Sequence, residues 1–487
     1  MKKNIAIIAV LLVSLFAMSC KKEVLPPAPV GPLPTDDQLR WHEWEQYAFV
    51  HFTVNTFTDK EWGYGDESPQ VFNPTDFDAE QWAKTLQEVG FKGLILTCKH
   101  HDGFCLWPAS YTEHSVKNSP FRDGKGDVVR EVANACKKYG LFFGVYLSPW
   151  DRYYPEYGKD GYAWYYSYQL SELLSKYGDI AEVWFDGANG GDGYYGGARE
   201  TRRIYSKTYY PWASLIEQIR QMSPRTLIFS DAGPDVRWCG NEAGYVGLPN
   251  WNTISIDTLF PGQSHIFDLL NHGSEDGKSW CPAEVNVSIR PGWFYHASED
   301  HLVKQPAALF RIYLESVGRG SNWLLNIPPD RRGLFHENDI QALKGWKKMK
   351  DELFAHNLAH DNNNKVNITA TQTRGNAKIF APENLLDNDK ETYWTTDDSV
   401  TAASITLDLQ QLQTVRYILL QEYIKLGQRV ETFTIEAWQN NQWIPVASET
   451  TIGYKRIVVL NPITTSKIRI NITAAKACPI LANLEVY

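Results

Sequence analysis

Several signatures are missing from this sequence, and each absence removes a class of function. No basic block occurs in its 487 residues, and 57 acidic against 48 basic side chains leave a net charge of −9. That balance argues against nucleic acid as a partner. Beyond the first 20 residues no apolar run is long enough to span a bilayer. Six cysteines follow Cys20 (Cys98, Cys105, Cys136, Cys239, Cys281 and Cys478) without CxxC spacing, so neither zinc nor a disulfide framework is indicated. No GxGxxG or Walker loop follows the first predicted strand, and HExxH, GxSxG and internal repeats are absent. Aromatic residues, by contrast, are abundant: 18 Trp, 26 Tyr and 21 Phe. So many large apolar side chains exclude a disordered chain. On an acidic protein they lean towards sugar ligands, because flat rings suit the apolar faces of pyranoses.

The N-terminus carries a targeting pattern. Lys2 and Lys3 precede an apolar stretch that ends in Ala17-Met18-Ser19-Cys20. This is a secretory signal over residues 1–20. A Cys directly after small residues resembles a bacterial lipoprotein cleavage box, which makes Cys20 the expected lipidation site. The expected location is therefore a bacterial cell envelope, periplasmic or cell-surface face, with the membrane met through that anchor alone. Residues 21–36 contain five prolines and read as a semi-rigid polyproline II tether.

Residues 37–356 alternate short apolar runs with amphipathic stretches. Strands are predicted at 48–52, 93–98, 142–147, 180–185, 227–230 and 323–327. Helices are predicted at 78–89, 127–139, 161–177, 212–222, 301–317 and 338–356. Such alternation implies a parallel sheet, and without a nucleotide loop a closed (β/α)₈, TIM-type barrel is favoured over an open sheet. Residues 231–306 are loop-rich and hide the later strands. Residues 357–365 are polar and unpatterned, a linker. Residues 366–487 alternate at period two between turn clusters, as an all-β sandwich does. The fold class is thus α/β, a barrel followed by a β-sandwich.

In such a barrel the residues just past each strand converge on one mouth. They include His51, the run Lys99-His100-His101-Asp102-Gly103, Tyr146 with Trp150 and Asp151, Trp184 with Asp186, and the segment 283–293 with Glu284 and Arg290. Aromatic walls, His and Arg donors and two carboxyls suit cleavage of a glycosidic bond. The His100-His101 pair favours ligand hydrogen bonding over metal, since neighbouring residues at a strand end point in different directions. Asp186 before a Gly also fits a plain loop-start cap. Glu284 also fits a solvated loop residue, with Glu242, Asp231, Asp257 and Glu61 competing for its role.

The motifs His51-Phe-Thr-Val-Asn-Thr-Phe57, Glu61-Trp62-Gly63, Lys99-His-His-Asp-Gly-Phe-Cys-Leu-Trp107, Tyr146-Leu-Ser-Pro-Trp-Asp151, Val183-Trp-Phe-Asp-Gly187 and Gly318-Arg-Gly-Ser-Asn-Trp-Leu-Leu-Asn-Ile-Pro-Pro-Asp330 occur in order along the barrel. Together they resemble the α-L-fucosidases of glycoside hydrolase family 29. The segment Ala283 to His296 resembles the branch preferring α1,3- and α1,4-linked fucose. The resemblance implies a retaining exo-glycosidase acting on fucosylated oligosaccharides or glycoproteins, with no required cofactor. It places the nucleophile at Asp186 and the acid/base at Glu284. It places fucose contacts at His51, Glu61, Trp62, His100, His101, Tyr146, Trp184 and Arg290. Asn286 departs from the acidic residue often found two places beyond the acid/base in similar chains. The C-terminal domain resembles a discoidin-like, family 32 carbohydrate-binding sandwich, which implies a structural calcium near Asp387 and Asp389. A catalytically impaired sugar-binding lipoprotein and a glycosidase for L-galactose-like substrates are the alternatives.

Overall fold

A computed structural model describes residues 24–360 and 366–487. Cys20, the signal segment and most of the expected linker lie outside the described residues. Eight parallel strands close a barrel: β1 (Gln46–Val50), β2 (Gly93–Lys99), β3 (Phe142–Leu147), β4 (Glu182–Trp184), β5 (Leu227–Ser230), β6 (Val236–Trp238), β7 (Ala283–Ser288) and β8 (Asn322–Asn326). They pair in chain order, and β8 closes on β1 with Gln46 opposite Trp323. Their side chains are almost all buried, which is why β2 reads as one unbroken apolar run. Gly93 opens β2 because a Cβ there would meet the Phe142 ring at 2.3 Å.

The barrel helices follow local signals. Helix α1 (Asp36–Trp44) precedes β1 and is capped by Thr35. Asp78 caps α2 (Ala79–Glu88), and Asp127 caps α3 (Val128–Lys138). Helix α4 (Gly161–Lys176) turns Tyr162, Tyr165 and Tyr166 towards buried Lys99, whose ammonium lies 5.4–5.6 Å from their ring centres. Helix α5 spans Trp212–Met222. Asp78 and Gln81 have the spacing of a capping box, but the box is only half made: Gln81 hydrogen-bonds the Phe335 backbone instead of its own cap. Helix α6 covers Pro306–Glu315 rather than beginning at residue 301. Pro306 occupies its first turn, where a missing N–H costs nothing. Helix α7 spans Glu337–Leu353.

The loop-rich stretch conceals β6 and β7, the strands that sequence periodicity did not find. The first is three residues long, too short for a pattern, and the second is buried throughout.

Seven antiparallel strands form the C-terminal domain: β9 (Asn367–Ala370), β10 (Trp394–Thr395), β11 (Ala403–Glu422), β12 (Val430–Gln439), β13 (Gln442–Glu449), β14 (Arg456–Ala475) and β15 (Ile480–Val486). Two of them, β11 and β14, run for 20 residues each and are paired across bulges. Ile405, Leu407, Phe433 and Ile470 form its apolar core, and Leu358 and Ala359 from the expected linker join it.

This domain sits under the barrel. Tyr454 stacks on His42 of α1 at 5.0 Å, Lys455 pairs with Glu45, and Ile457 packs on Gly318 just ahead of β8. These contacts precede β1 and β8, so they lie at the end opposite the mouth. The Pro-rich segment is held as well: Arg374 and Arg429 donate to the Leu25 and Ala28 carbonyls, and Val30 N–H donates to Leu426 O. A polyproline II backbone leaves its carbonyls free, and the arginines use them. The described part of the expected tether therefore runs along the sandwich. Asp387 and Asp389 accept hydrogen bonds from Asp389 N–H, Thr392 Oγ1 and Glu391 N–H within one turn. Among the described residues no three His, Cys, Asp or Glu groups converge as metal ligands. All six described cysteines are buried free thiols.

Candidate active site

At the C-terminal mouth of the barrel lies a cavity of about 250 Å³, lined by His51, Trp62, His100, His101, Tyr146, Trp184, Asp186, Asp231, Trp238, Glu242, Asn286 and Trp293 among others. The strands supply these groups in turn, so six of the sequence-predicted residues besides Asp186 meet here. They are His51, Trp62, His100, His101, Tyr146 and Trp184.

Asp186 is held from both oxygens. Tyr146 OH donates to Oδ2 at 2.8 Å and Ala188 N–H to Oδ1 at 2.7 Å. His101 Nε2 stands 3.9 Å from Oδ2. Burial pushes the histidines down, His51 to about 3 and His101 to about 4, and holds His100 well below its usual value. All three are therefore neutral at pH 7. Their tautomers follow from their partners. Asn326 Nδ2 donates to Ser288 Oγ and the Trp293 carbonyl, so its Oδ1 accepts from His51 Nδ1 at 2.8 Å. Ser148 Oγ donates to the Trp150 carbonyl and so accepts from His101 Nδ1 at 2.7 Å. Each ring is left with Nε2 as an acceptor, suited to a sugar hydroxyl.

The second carboxyl in the cavity is Glu242, on the loop after β6. It reaches solvent at the rim, yet surrounding protein raises its pKa, and the Asp186 charge adds to the rise while hydrogen bonding by Trp293 opposes it. Asp231, at the end of β5, accepts the Gly262 N–H at 2.8 Å and is pushed up to about 7 by burial, with Asp186 contributing. Asp257 is exposed on a loop away from the cavity.

Three expected residues lie elsewhere. Glu284 is on β7, not on a loop, and is 0% exposed. It accepts from Tyr47 OH and, at 2.8 Å, from Trp184 Nε1, beneath the indole that lines the cavity. Burial raises it to about 7 beside Glu182, which burial also raises. A proton donor must reach its acceptor directly or through one water; Glu284 is sealed below the floor, so the acid/base placement there is corrected. The residue two places on, Asn286, does line the cavity and accepts from Trp238 Nε1 at 2.7 Å. Arg290 is buried in ion pairs with Asp339 (3.0 Å) and Asp300 (2.9 Å), so it braces α7 and does not touch the cavity. Glu61 clamps the 293–296 segment, accepting from Trp293 N–H, Phe294 N–H and His296 Nε2. It thereby positions Trp293 without lining the cavity itself. The residue that sequence reasoning ranked too low is Glu242. Its signal was its place four residues beyond Trp238, readable only once β6 is known.

Comparison with known proteins gives the same picture over nearly the whole chain. Residues 32–349 match the alpha-L-fucosidase family model, and residues 367–486 match the F5/8 type C domain. Alpha-L-fucosidase 1 of Arabidopsis thaliana is 40% identical over 95% of this chain and 88% of its own length. A glycoside hydrolase 29 family member from an unknown rumen bacterium superposes with a TM-score of 0.84 at 44% identity, covering 94% of this chain and 78% of that one. A Ruminococcus gnavus GH29 fucosidase in complex with fucose superposes at 0.86 with 30% identity over 96% and 97% of the two chains. Barrel, mouth and likeness agree: the chain belongs to the alpha-L-fucosidases of glycoside hydrolase family 29 and carries a discoidin-like C-terminal domain.

Proposed function

We propose that the protein removes single terminal α-L-fucose units from glycans with retention of configuration, using Asp186 as nucleophile and Glu242 as acid/base. The observation that carries this reading is the cavity itself: about 250 Å³, with Asp186 held through both oxygens, Glu242 with a raised pKa at the solvent rim, and Asp231 tied to the Gly262 N–H. That volume falls below the 300 Å³ at which drug-sized sites begin, which fits one sugar ring and an exo action.

In the first step Asp186 attacks the anomeric carbon while Glu242 delivers its proton to the departing glycosidic oxygen. Positive charge grows at the anomeric carbon in the transition state, close to a carboxylate and flanked by neutral imidazoles. In the second step Glu242 takes a proton from water, which displaces Asp186. His51 and His101 accept sugar hydroxyls through Nε2, and the indoles of Trp184 and Trp293 wall the ring.

A preference for α1,3 and α1,4 linkages rests on the resemblance of the 283–296 segment, which supplies the cavity residues Asn286 and Trp293. The test is a release assay on α1,2-, α1,3-, α1,4- and α1,6-fucosylated oligosaccharides beside an aryl fucoside, with the first-formed anomer read by NMR. Faster cleavage of Lewis-type trisaccharides with α-fucose as first product supports the reading. Equal rates on every linkage reject the preference, and β-fucose rejects retention. The proposed lipid anchor is tested separately: Cys20→Ala should move the protein from the membrane to the soluble fraction.

A further inference from the structure

A second, larger cavity of about 830 Å³ opens on the same face of the barrel, formed by the loops that follow β1, β2, β3 and β4. The fucose pocket does not use it. An unbroken series of rings and guanidinium groups joins the two. Trp62 at the pocket rim meets Trp150 edge-on at 5.8 Å, and Arg152 lies 5.0 Å over Trp150 and 5.3 Å over Tyr64. Arg199 then bridges Tyr64 (5.7 Å) to Tyr194 (5.4 Å), which stacks on Tyr153 at 6.2 Å in the wall of the groove.

Two features say what kind of ligand fits. Most charges in the groove are paired, with Arg199 on Asp66 at 2.9 Å, Lys117 on Glu113 at 3.1 Å and Glu67 on Lys60 at 2.9 Å; Asp123 is the lining side chain outside these pairs, so the groove has no free cationic centre to hold an anion. The wall also contains a buried polar group without a partner. His114 is 1% exposed, lies flat on Tyr153 at 4.2 Å, and has no hydrogen bond to either ring nitrogen. Both nitrogens are closed to solvent, so the ring serves the groove as the flat backing against which the Tyr153 platform rests.

We propose that this groove binds the distal sugars of a branched glycan chain while its terminal fucose occupies the pocket. The inference rests on the fucosidase reading and extends it, from a site for one ring to a surface that reads the chain beyond the bond being cut. The contacts would be made equally in the bound substrate and in the transition state, so they lower KM and leave kcat almost unchanged.

The experiment compares an aryl fucoside, a fucosylated trisaccharide and a fucosylated glycan of six or more sugars, using the full chain. Wild type should gain about tenfold in kcat/KM from trisaccharide to the long glycan, equivalent to about 1.4 kcal/mol. Tyr194→Ala, which removes one platform, and Gln70→Trp, which fills the groove from its exposed rim, should each erase that gain. Neither should alter the aryl fucoside. Gln70 is exposed, so this second variant keeps the test decisive if Tyr194→Ala fails to fold. A wild type that cleaves all three without a length gain overturns the groove alone, as do variants that lose equally on all three. Inactivity of wild type on every substrate overturns the hydrolase reading and this inference with it.

Discussion

The barrel holds acidic side chains at two depths, and burial raises Glu242 at the mouth as it raises Glu182 and Glu284 in the interior. Asp186 and Asp231 line the mouth beside Glu242. By residue type and raised pKa alone, Glu284 is as good a proton donor as Glu242. The difference is access. Glu242 faces the cavity and solvent, whereas Glu284 is spent on Tyr47 OH and Trp184 N–H beneath the floor. A perturbed carboxyl marks a catalytic site only where a substrate atom is able to approach it.

The strongest test of this contrast is at the nucleophile. Asp186→Ala should lower kcat by about 10⁴-fold or more on every substrate, the scale seen when a covalent nucleophile is removed. Azide should restore turnover on an aryl fucoside and yield the β-fucosyl azide. An active variant without azide would break the assignment.

Glu242→Ala should cost about 10²–10⁴-fold on natural glycans, the usual worth of general acid–base assistance. The loss should be smaller on an activated aryl fucoside, whose leaving group needs no proton, and azide should then give the α-fucosyl azide. The pH profile sharpens the point. Glu242 must be protonated to donate, so rate falls as pH rises through its pKa, and its upward shift keeps it protonated to higher pH than an exposed Glu. The alanine variant should flatten that basic limb. Wild-type kinetics in Glu242→Ala would return attention to Asp231.

Glu284→Ala should behave differently, as a stability defect with a smaller catalytic one. It leaves two donors without an acceptor, the Tyr47 O–H (whose oxygen still accepts from Trp41 Nε1) and the Trp184 indole N–H, each costing about 1–3 kcal/mol when buried unpaired. Denaturant melts beside kcat/KM on a Lewis trisaccharide separate the two effects. A catalytic loss matching that of Glu242→Ala with unchanged stability would invert the comparison.

The smallest expected effect is a pH slope. Glu284 lies at about 7 in the folded chain against an ordinary value of 4.5, so the folded state holds the proton more tightly. Its contribution to stability is complete below about 4.5 and is lost as pH rises to about 7, then stays flat. Glu422, Asp102 and Asp231 also sit at about 7, so the measurement is the difference between wild type and Glu284→Gln. Parallel stability–pH curves would show that Glu284 does not titrate there.

Much of the site is legible without coordinates because a barrel brings strand ends together whatever lies between them. His51, His100, His101, Tyr146, Trp184 and Asp186 each follow or end a run with a clear apolar pattern. Glu242 was hidden because β6 contributes three residues, and no periodicity can be read from three. Glu284 misled because it lies in a motif-like segment at the start of a strand, where its side chain points inward and low rather than to the mouth. Arg290 misled in the same way, since its partners Asp300 and Asp339 come from elsewhere in the chain.

Residue pattern by itself determined the two-part architecture, the α/β alternation and the place of Asp186 just after the fourth strand. These depend on local spacing: side-chain period and the place where an apolar run ends. Tertiary structure alone decided which glutamate meets the cavity, that the Pro-rich segment lies along the sandwich, and that the sandwich docks beneath the barrel. Those outcomes depend on depth and on partners distant in sequence. A carboxyl's chemistry is set by what surrounds it, and its surroundings here come from strands as far apart as β1 and β7.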